Sequence, residues 1–422
     1  MSGQERTDAA EALWTLQGVA VERVEVVEEP SREEPGRRVK LVYLRDKRKW
    51  SLCECGSKSH PRLFLESEPR RFRDCSLGDY ETFVIATPYR LRCGKATTVE
   101  TFPWEAQGFR TTRRFFERVA ALCRHTTVSE VARLVALSWD TVARIDGAST
   151  RLALGGDEPD LGSLRWIGVD EVSRTGGHVY FTVVTDLISG RVVFLGDGKR
   201  EGALVEFFEK LGPRRCRRIR GVVSDLGSSY LPVIARFIPH ARHVLDRFHI
   251  VQWLNEGLND LRRRIFGGAP KDELGQSLKV KKWILLSARE NLDFEHKVEL
   301  ERLCSLNHPL YIAYLLKEQL RAILHHPWSY LGALRRNLVA WCATARGAAP
   351  EYVKIANRLE PHLEKVVAGF NSGVRLGFVE ATNGKIALIR RQARGYRNIE
   401  IFKLKIFQRC SLPSDPYGRV VL

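Results

Sequence analysis

The chain has 422 residues, which at the usual domain size predicts roughly two to four domains with substantial cores. Hydrophobic residues make up 44% and charged residues 28% of the sequence, and these values exclude a wholly disordered chain. Lys and Arg together number 68 against 50 Asp and Glu, so the net charge is +18. A chain this basic is expected to bind a polyanion, either nucleic acid or an acidic membrane surface.

No apolar run approaches the roughly 18–20 residues that a membrane span needs. The first residues, MSGQERTDAAEALW, lack the apolar stretch of a signal peptide. We therefore expect a cytoplasmic protein without a membrane partner.

Nine cysteines are present, and four of them fall in one short stretch: Cys53, Cys55, Cys75 and Cys93. The odd number and the missing secretory signal argue against a disulfide framework. A local metal site is the better expectation.

Residues 1–108 are predicted to form a small β-rich module. β-branched residues cluster or alternate in residues 19–27 and 39–44, on either side of a charged loop at 28–39 that contains Pro and Gly. Residues 83–92 continue this strand-like pattern.

Residues 109–150 change to a helical period. Their apolar spacing predicts a helix over 111–125, then two short helices joined by a turn that ends at Ser138, the expected N-cap of the second. This is a helix-turn-helix pattern, and Arg133 and Arg144 are its candidate DNA contacts. An ordinary helical hairpin would show the same spacing.

The next segment predicts an α/β core. Residues 149–163 are rich in Gly, Asp and Ser and are expected to be a linker. Residues 160–250 predict three successive strands, the last two joined by a turn at 186–190, and then helix, strand, helix and strand. That order is typical of an RNase H-like core.

Residues 251–370 show apolar stripes at helical spacing and no strand alternation, so they predict an all-α insertion domain. Residues 371–422 are expected to close the core with a helix over 378–394, stopped by Gly395, and a basic tail. The predicted fold class is therefore α/β: an RNase H-like catalytic core interrupted by an all-α insertion and preceded by the two N-terminal segments.

Two aspartates are predicted to end buried strands, Asp170 after WIGV and Asp225 after GVVS. Ligands and chemistry gather at this end of α/β sheets, and two such carboxylates can bridge divalent ions about 4 Å apart. The alternative is structural, with Asp170 capping a turn and Asp225 capping the following helix. Glu171 is a second choice, because strand alternation places it on the opposite face. Asp186 and Asp197 are expected to be structural.

Glu380 is the candidate third carboxylate. On its predicted helix it shares a face with Asn383, Arg391 and Arg394, separate from the apolar stripe. An acid and an amide at one end of a basic face suit a metal ligand next to bound phosphates. A solvated face of an amphipathic helix is the alternative.

These residues resemble the ISL-three family of bacterial insertion-sequence transposases, a DDE group with an RNase H-like core. The matching stretches are WIGVDEVSRTGGHVYFTVVTDLISGRVV, VVSDLGSSYLPVIARFIPHARHVLDRFHIVQ, VKKWILLSARENL and EATNGKIALIRRQARGYRN. With the helix-turn-helix and the CECG start, the similarity covers nearly the whole chain.

The resemblance implies that Asp170, Asp225 and Glu380 are the acidic triad that holds two Mg²⁺ or Mn²⁺ ions. The DRFH stretch matches a (C/D)xxH motif and places Asp246 and His249 in support of the site; a buried hydrogen-bonded histidine is the alternative. Trp283 could stack on an unpaired base, although core packing is the commoner role. The further expected DNA contacts are Arg390, Arg391, Arg394 and Arg397, and Asn383 is expected to support the site.

The N-terminal module departs from the family pattern of CPxCG followed by CPxHG. Leu52 stands where the first cysteine is usual, and the later histidine is absent after Cys93. A C-x-C pair suits a zinc knuckle poorly. The sequence therefore leaves both outcomes open, a Zn²⁺ site on the clustered cysteines or none. In a Zn²⁺ site, Cys75 or His60 would replace the missing family ligand.

The sequence as a whole predicts a DNA transposase that binds terminal inverted repeats, cleaves there with divalent ions, and transfers the strand to target DNA. A homodimer or higher oligomer on DNA and a location at the nucleoid are expected. The alternatives are a non-catalytic DNA-binding regulator and an RNase H-like nuclease without strand transfer. Much of the positive charge lies in 214–220, 262–264 and the last residues, 381–422.

Overall fold

The computed structural model describes residues 16, 18–29, 37–48, 50–58, 60–77, 79–162, 164–175, 179–198, 201–225, 229–268, 282–305 and 307–413. The chain divides into two compact units. The first contains the described residues up to Ala153 together with Pro413, and the second is Leu154–Leu412. Each is described by itself. The five-segment division expected from the sequence stays a prediction.

The first unit begins with seven strands that form two sheets. One is ordered β1-β2-β5-β4, with β1 antiparallel to β2 and β2 parallel to β5, and the other is ordered β3-β6-β7. Phe72 packs edge-on against the stacked rings of Phe102 and Trp104 in the core of the larger sheet. The β-rich N-terminal region is thus confirmed. The strands are β1 (Val19–Glu28), β2 (Arg38–Asp46), β3 (Arg62–Glu66), β4 (Arg70–Leu77), β5 (Tyr80–Ala86), β6 (Tyr89–Cys93) and β7 (Ala96–Val99).

Three helices follow in this unit: α1 (Arg113–His125), α2 (Val128–Val135) and α3 (Trp139–Leu154). Ser138 caps α3 as predicted, because its hydroxyl accepts the Thr141 N–H at 3.2 Å. α3 runs six residues into the predicted linker, where the expectation was wrong. Asp146, Ser149 and Thr150 are buried on its inner face, so tertiary packing carries the helix through the small polar residues.

The second unit is built on a five-stranded sheet ordered β10-β9-β8-β11-β12. β9 is antiparallel to β8 and β10, whereas β11 is parallel to β8 and β12. Asp186 accepts the Ile188 and Ser189 N–H groups in the β9–β10 turn, which is the structural role expected of it. Asp197 ends β10 and pairs with Lys403 at 3.0 Å. The strands are β8 (Trp166–Ser173), β9 (Tyr180–Asp186), β10 (Val192–Asp197), β11 (Gly221–Ser224) and β12 (Arg242–Leu245).

Helices cover one face of this sheet and join its parallel strands. Apolar side chains of α4 and α6 pack with Ile167, Val169 and Val222. The first four helices of this unit are α4 (Glu201–Leu211), α5 (Pro213–Cys216), α6 (Tyr230–Phe237) and α7 (Arg247–Gly268).

From α7 to residue 370 the described residues form helices and two 3-10 turns, as expected for the insertion. One apolar core joins them, and the buried Trp341 donates its indole N–H to the Leu316 carbonyl at 2.9 Å. The elements are α8 (Lys282–Leu286), the 3-10 turn Arg289–Asn291, α9 (Phe294–Ser305), α10 (His308–His325), α11 (Leu331–Arg346), α12 (Pro350–Leu359), the 3-10 turn Glu360–His362 and α13 (Leu363–Phe370). In the described part of the chain, no helix is long and apolar enough to cross a membrane.

Two helices close the second unit, α14 (Gly377–Gln392) and α15 (Ile399–Cys410). α14 ends two residues before the expected position, because Gly395 donates to the Arg390 carbonyl and Arg394 to that of Arg391 in a Schellman turn. Arg394 adopts a left-handed φ of 54° there. The sequence analysis did not predict α15, which packs with α14 on β9 and β10.

Candidate functional site

Asp170 and Asp225 lie where two adjacent parallel strands stop pairing. β11 pairs with β8 only as far as Val223 opposite Gly168, and Asp225 follows β11 directly. The sequence predicted that Asp170 ends its strand. This is wrong, because β8 continues along β9 to Ser173. It nevertheless lies just beyond the last residue paired with β11, so both carboxylates belong to the same end of the two strands.

The structural alternatives for these aspartates fit the fold poorly. Ser229, not Asp225, is the N-cap residue of α6. Asp170 accepts the Glu171 backbone N–H at 2.8 Å, but it does so within a strand rather than in a turn. Glu171 interacts with Tyr230 on the opposite face of the sheet, as the strand alternation predicts.

α14 approaches β8 at a glycine. A Cβ on Gly168 would lie 2.5 Å from Cγ2 of Val379, so only glycine permits this separation. Gly168 and Asp170 share one face of β8. The close packing brings the Asn383 amide to Asp170, where Nδ2 donates to Oδ2 at 2.6 Å. Asn383 therefore fixes the carboxylate of a residue far away in the chain.

Glu380 lies in the first turn of α14 and is exposed. Its charge reaches Asp246, the buried residue that follows β12. Asp246 accepts the Phe248 N–H at 3.0 Å at the start of α7, and His249 on the same turn places Nε2 3.9 Å from Oδ1 of Asp170. The structure thus brings the DRFH pair to the predicted triad.

The electrostatics of this cluster are those of crowded carboxyl groups. Burial raises the pKa of Asp170, and the charge of Asp225 adds to the effect. Burial also raises the pKa of Asp246, with further contributions from the charges of Asp170 and Glu380. Buried acids of like charge disfavour ionisation unless a cation joins them.

Arg358 is a residue of this site that the sequence analysis missed. It lies on α12, its guanidinium is 3.7 Å from the Trp253 ring centroid, and it approaches Oδ1 of Asp225 to 4.0 Å. More than one hundred residues separate it from Asp225, so only the fold reveals the contact. The amphipathic spacing of the insertion did not single out Arg358 from its other arginines.

The donor atoms of the cluster fit a hard divalent cation. They are carboxylate oxygens, and Oδ1 of Asn383 adds a buried amide oxygen that has no hydrogen-bond partner among the described residues. The three predicted catalytic carboxylates do not, however, lie within 4.8 Å of one another as a group. Ions that each bind a pair of them would not require that spacing.

The basic residues of α14 and the turn beyond it differ in their surroundings. Arg390 donates from one guanidinium nitrogen to the carbonyls of Ser173, at 2.8 Å, and Thr175, at 3.2 Å, so it fastens the end of β8. The others expected to contact DNA are exposed: Arg391, Arg394 and Arg397.

A second candidate site lies in the first unit. Ligand atoms of Cys53, Cys55, His60 and Cys93 lie within 4.8 Å of one another, and among the described residues no other group of three or more His, Cys, Asp or Glu does so. Sγ of Cys55 is 3.1 Å from Nε2 of His60 and 3.9 Å from Sγ of Cys93. Sulfur ligands on a tetrahedral zinc are about 3.8 Å apart, given Zn–S bonds of about 2.3 Å.

The thiols of this Cys/His cluster titrate unequally. A hydrogen bond from the Ser57 backbone, followed by that of His60, lowers the pKa of Cys55 to about 7. Sharing of hydrogen bonds with Cys53 and Cys55 raises the pKa of Cys93 to about 11. One thiolate is thus favoured at the expense of its neighbour, a conflict that a bound cation relieves.

Cys75 is not part of the cluster, which corrects its inclusion among the candidate zinc ligands. It lies on β4 and packs against the apolar core of the three N-terminal helices. Burial raises the pKa of Cys75. His60 takes the fourth position instead, because the Arg92 N–H donates to the Pro61 carbonyl and so aligns His60 with Cys93.

The remaining predicted DNA contacts are accessible. Arg133 on α2 pairs with Glu130 yet stays largely exposed, and the exposed Arg144 on α3 lies over the Phe109 ring. Trp283 on α8 is 50% exposed and meets His296 edge-on, so it is not a core residue.

Comparison with known proteins agrees with these features. The family model of the DDE transposases of family ISL3, described as "Transposase", matches residues 167–406, and that of the helix-turn-helix domain of transposase family ISL3 matches 100–146. The chain is 31% identical to the transposase for insertion sequence element IS1001 of Bordetella parapertussis, over 96% of this chain and 98% of that protein. It is 30% identical to the transposase for insertion sequence element IS1557 of Mycobacterium tuberculosis (strain CDC 1551 / Oshkosh), over 78% of this chain and 79% of that protein.

These matches cover both the sheet that carries the carboxylates and the helix-turn-helix, in the same order along the chain. The chain belongs to the ISL3 family of insertion-sequence DNA transposases.

Proposed function

We propose that the chain is a metal-dependent enzyme that cleaves DNA at the ends of its insertion sequence and joins them to target DNA, with Asp170, Asp225 and Glu380 as its catalytic carboxylates. The observation that carries the proposal is the approach of α14 to the shared end of β8 and β11. Asn383 on α14 forms a 2.6 Å hydrogen bond to Asp170 there, and Glu380 lies three residues earlier on the same helix.

An RNase H-like core is part of this proposal. Its support is the sheet order β10-β9-β8-β11-β12, together with a chain order in which three antiparallel strands precede helices that lead into the parallel strands β11 and β12. α14 is the closing helix of the core, and the helices after α7 are the insertion. Both then serve to place side chains around the ends of β8 and β11.

Asp170, Asp225 and Glu380 would hold two Mg²⁺ or Mn²⁺ ions, which supply Lewis-acid activation of the attacking oxygen and stabilise the leaving oxygen. Asn383 fixes the Asp170 carboxylate through its amide. Asp246 holds the first turn of α7 through the Phe248 N–H, and so positions His249 beside Asp170. Asn383 and His249 thus position Asp170.

The proposed reaction has two steps, cleavage and strand transfer. Water attacks the phosphodiester at the element's end; the P–O3′ bond breaks, and the products are a 5′-phosphate and a 3′-hydroxyl. That hydroxyl then attacks a target phosphodiester; a new P–O bond forms as the target P–O3′ bond breaks and its 3′-oxygen takes a proton. Neither step requires a protein nucleophile.

We assign binding of the element's ends to the first unit. The helix-turn-helix presents Arg133 and Arg144, and we propose that Cys53, Cys55, His60 and Cys93 hold one Zn²⁺ that fixes the loops of the β-rich module. Joining two ends requires two copies, so a dimer or higher oligomer on DNA at the nucleoid is part of the proposal.

The decisive test is cleavage and strand transfer by the purified chain on labelled end DNA and plasmid target with Mn²⁺. Asp170→Ala, Asp225→Ala and Glu380→Ala are each expected to lose both products while retaining DNA binding. Asp197→Ala, an acid of the same sheet placed in an ion pair with Lys403, is the matched control and should remain active. Equal nicking by wild type and all three variants would overturn the assignment. Cleavage without joined product would favour a nuclease, and binding alone a regulator.

A further inference from the structure

Three basic residues of the insertion recur at helical spacing beside the proposed catalytic site. Arg358, His362 and Lys365 stand at i, i+4 and i+7 along α12, the 3-10 turn and α13. The backbone is right-handed helical at Leu359, Glu360 and Leu363, whereas His362 departs from helical geometry with φ −120° and ψ 13°. We name Arg358, His362 and Lys365 the basic stripe.

The stripe begins at Asp225. Arg358 is held there from two sides, by stacking on Trp253 at 3.7 Å and by the Asp225 carboxylate at 4.0 Å. Its side chain is nevertheless 43% exposed. An arginine oriented in this way keeps guanidinium N–H groups available to a second anion.

The rest of the stripe lies over the neighbouring strand ends. α13 packs against β12, where a Cβ on Gly369 would lie 3.1 Å from Val244. His243 on β12 shares a hydrogen bond of 2.8 Å with the Ser224 hydroxyl, directly before Asp225. Burial, followed by the charges of Lys365 and His362, lowers the pKa of His243 to about 4. The stripe therefore runs from Asp225 toward β12, where its charges act on His243.

The positive charge of the stripe is not neutralised by acids of its own helices. Glu360 pairs with Arg346 on α11, and Glu364 pairs with Arg335 on the same helix. In the part of the chain that the structure describes, neither His362 nor Lys365 has an acidic partner. Burial lowers the pKa of His362, and the charges of Lys365 and Arg358 lower it further, so these groups repel one another.

We propose that Arg358, His362 and Lys365 bind backbone phosphates of the DNA strand that passes Asp225. This inference deepens the proposed function and rests on it for the location of the reacting strand. Phosphate oxygens offset the repulsion among the cations, and a neutral His362 still donates a ring N–H to them. The insertion thus supplies a phosphate site that carries no sequence information, and so acts as a positioning surface.

The test is the salt dependence of DNA binding by the full chain, measured by anisotropy with a short fluorescein-labelled duplex of arbitrary sequence. Each phosphate contact contributes about 0.9 to the slope of log K against log salt concentration. The double variant Arg358→Gln/Lys365→Gln is expected to reduce that slope by about 1.8, from the loss of two such contacts. Lys297→Gln/Arg336→Gln removes the same charge from α9 and α11, at residues that do not pair with Glu360 or Glu364, and is expected to keep the wild-type slope.

An unchanged slope in the stripe variant, or an equal reduction in both double variants, would overturn the inference. If loss of the Trp253 stacking lowers the thermal midpoint, Lys365→Gln alone carries the test, with an expected reduction of about 0.9. Cleavage by the wild type is scored separately. Active wild type with an unaffected stripe variant refutes only the stripe, whereas inactive wild type with the expected slopes refutes only the proposed chemistry.

Discussion

The contact between β8 and α14 makes Gly168 a point where a single methyl group should separate the proposed catalytic residues. In Gly168→Ala the new Cβ would lie 2.5 Å from Val379 Cγ2 and 3.1 Å from Leu187 Cδ2. Ordinary carbon contacts are about 3.5–4.0 Å, so α14 must retreat by about 1 Å. Overpacking of this kind costs about 1–3 kcal/mol of unfolding free energy.

The same movement acts on the site, because Asn383 bonds Asp170 from α14 at 2.6 Å. A displacement of about 1 Å at a catalytic group lowers a rate by about 100-fold. We therefore expect Gly168→Ala to lower the urea midpoint modestly and the cleavage rate strongly. Because Val379→Ala removes the clashing methyl, the double variant should recover most of the activity, measured as a double-mutant cycle.

Gly384→Ala is the matched control, since it adds the same methyl group to the same helix with no atom within 4 Å. It should stabilise α14 by about 0.5–1 kcal/mol. Wild-type cleavage by Gly168→Ala would refute the reasoning. So would a double variant that cleaves no better than Gly168→Ala.

Three further predictions concern other residues. Asp170→Asn should abolish cleavage yet stabilise the metal-free protein at neutral pH. Because burial raises the pKa of Asp170, the gain in urea midpoint over wild type should grow as pH rises through that pKa. The gain should vanish below the ordinary Asp range. Arg394→Gly should raise the thermal midpoint, by relieving about 1 kcal/mol of left-handed strain, while weakening DNA binding in anisotropy. Cys93→Ser should lose zinc measured by mass spectrometry, whereas Cys75→Ser should retain it, and equal zinc contents would contradict the proposed ligand set.

Much of the fold was predictable because its elements have clear periods. The strand-rich start, the helix-turn-helix with its Ser138 cap and the helical insertion each follow from local spacing. The errors arose where tertiary contacts decide. α3 passes through a Gly- and Ser-containing stretch because its inner face is buried, and the extent of β8 beyond Asp170 is set by pairing with β9 rather than β11.

For the candidate site, the sequence names candidate residues but not the contacts between them. Asp170, Asp225 and Glu380 could be named from strand ends, helix faces and the family resemblance. Asn383, rather than a charged residue, bonds Asp170 because α14 packs closely on β8 at Gly168. The exchange of Cys75 for His60 follows from the two sheets, since Cys75 lies on β4 of one sheet, whereas His60 precedes β3 and Cys93 ends β6 of the other.

The energetics of the carboxylates give a reason for regarding them as functional. Asp170 is partly buried and Asp246 is buried, and burial together with neighbouring acids raises the pKa of each. Such an arrangement destabilises the folded chain near neutral pH, and uncharged side chains of similar size would be more stable there. The apolar contact of Val379 with Gly168 brings α14 onto β8, and it does not require an acid at position 170. The acids are thus best explained by cation binding for phosphate chemistry. The stability that they cost is offset by the rest of the fold.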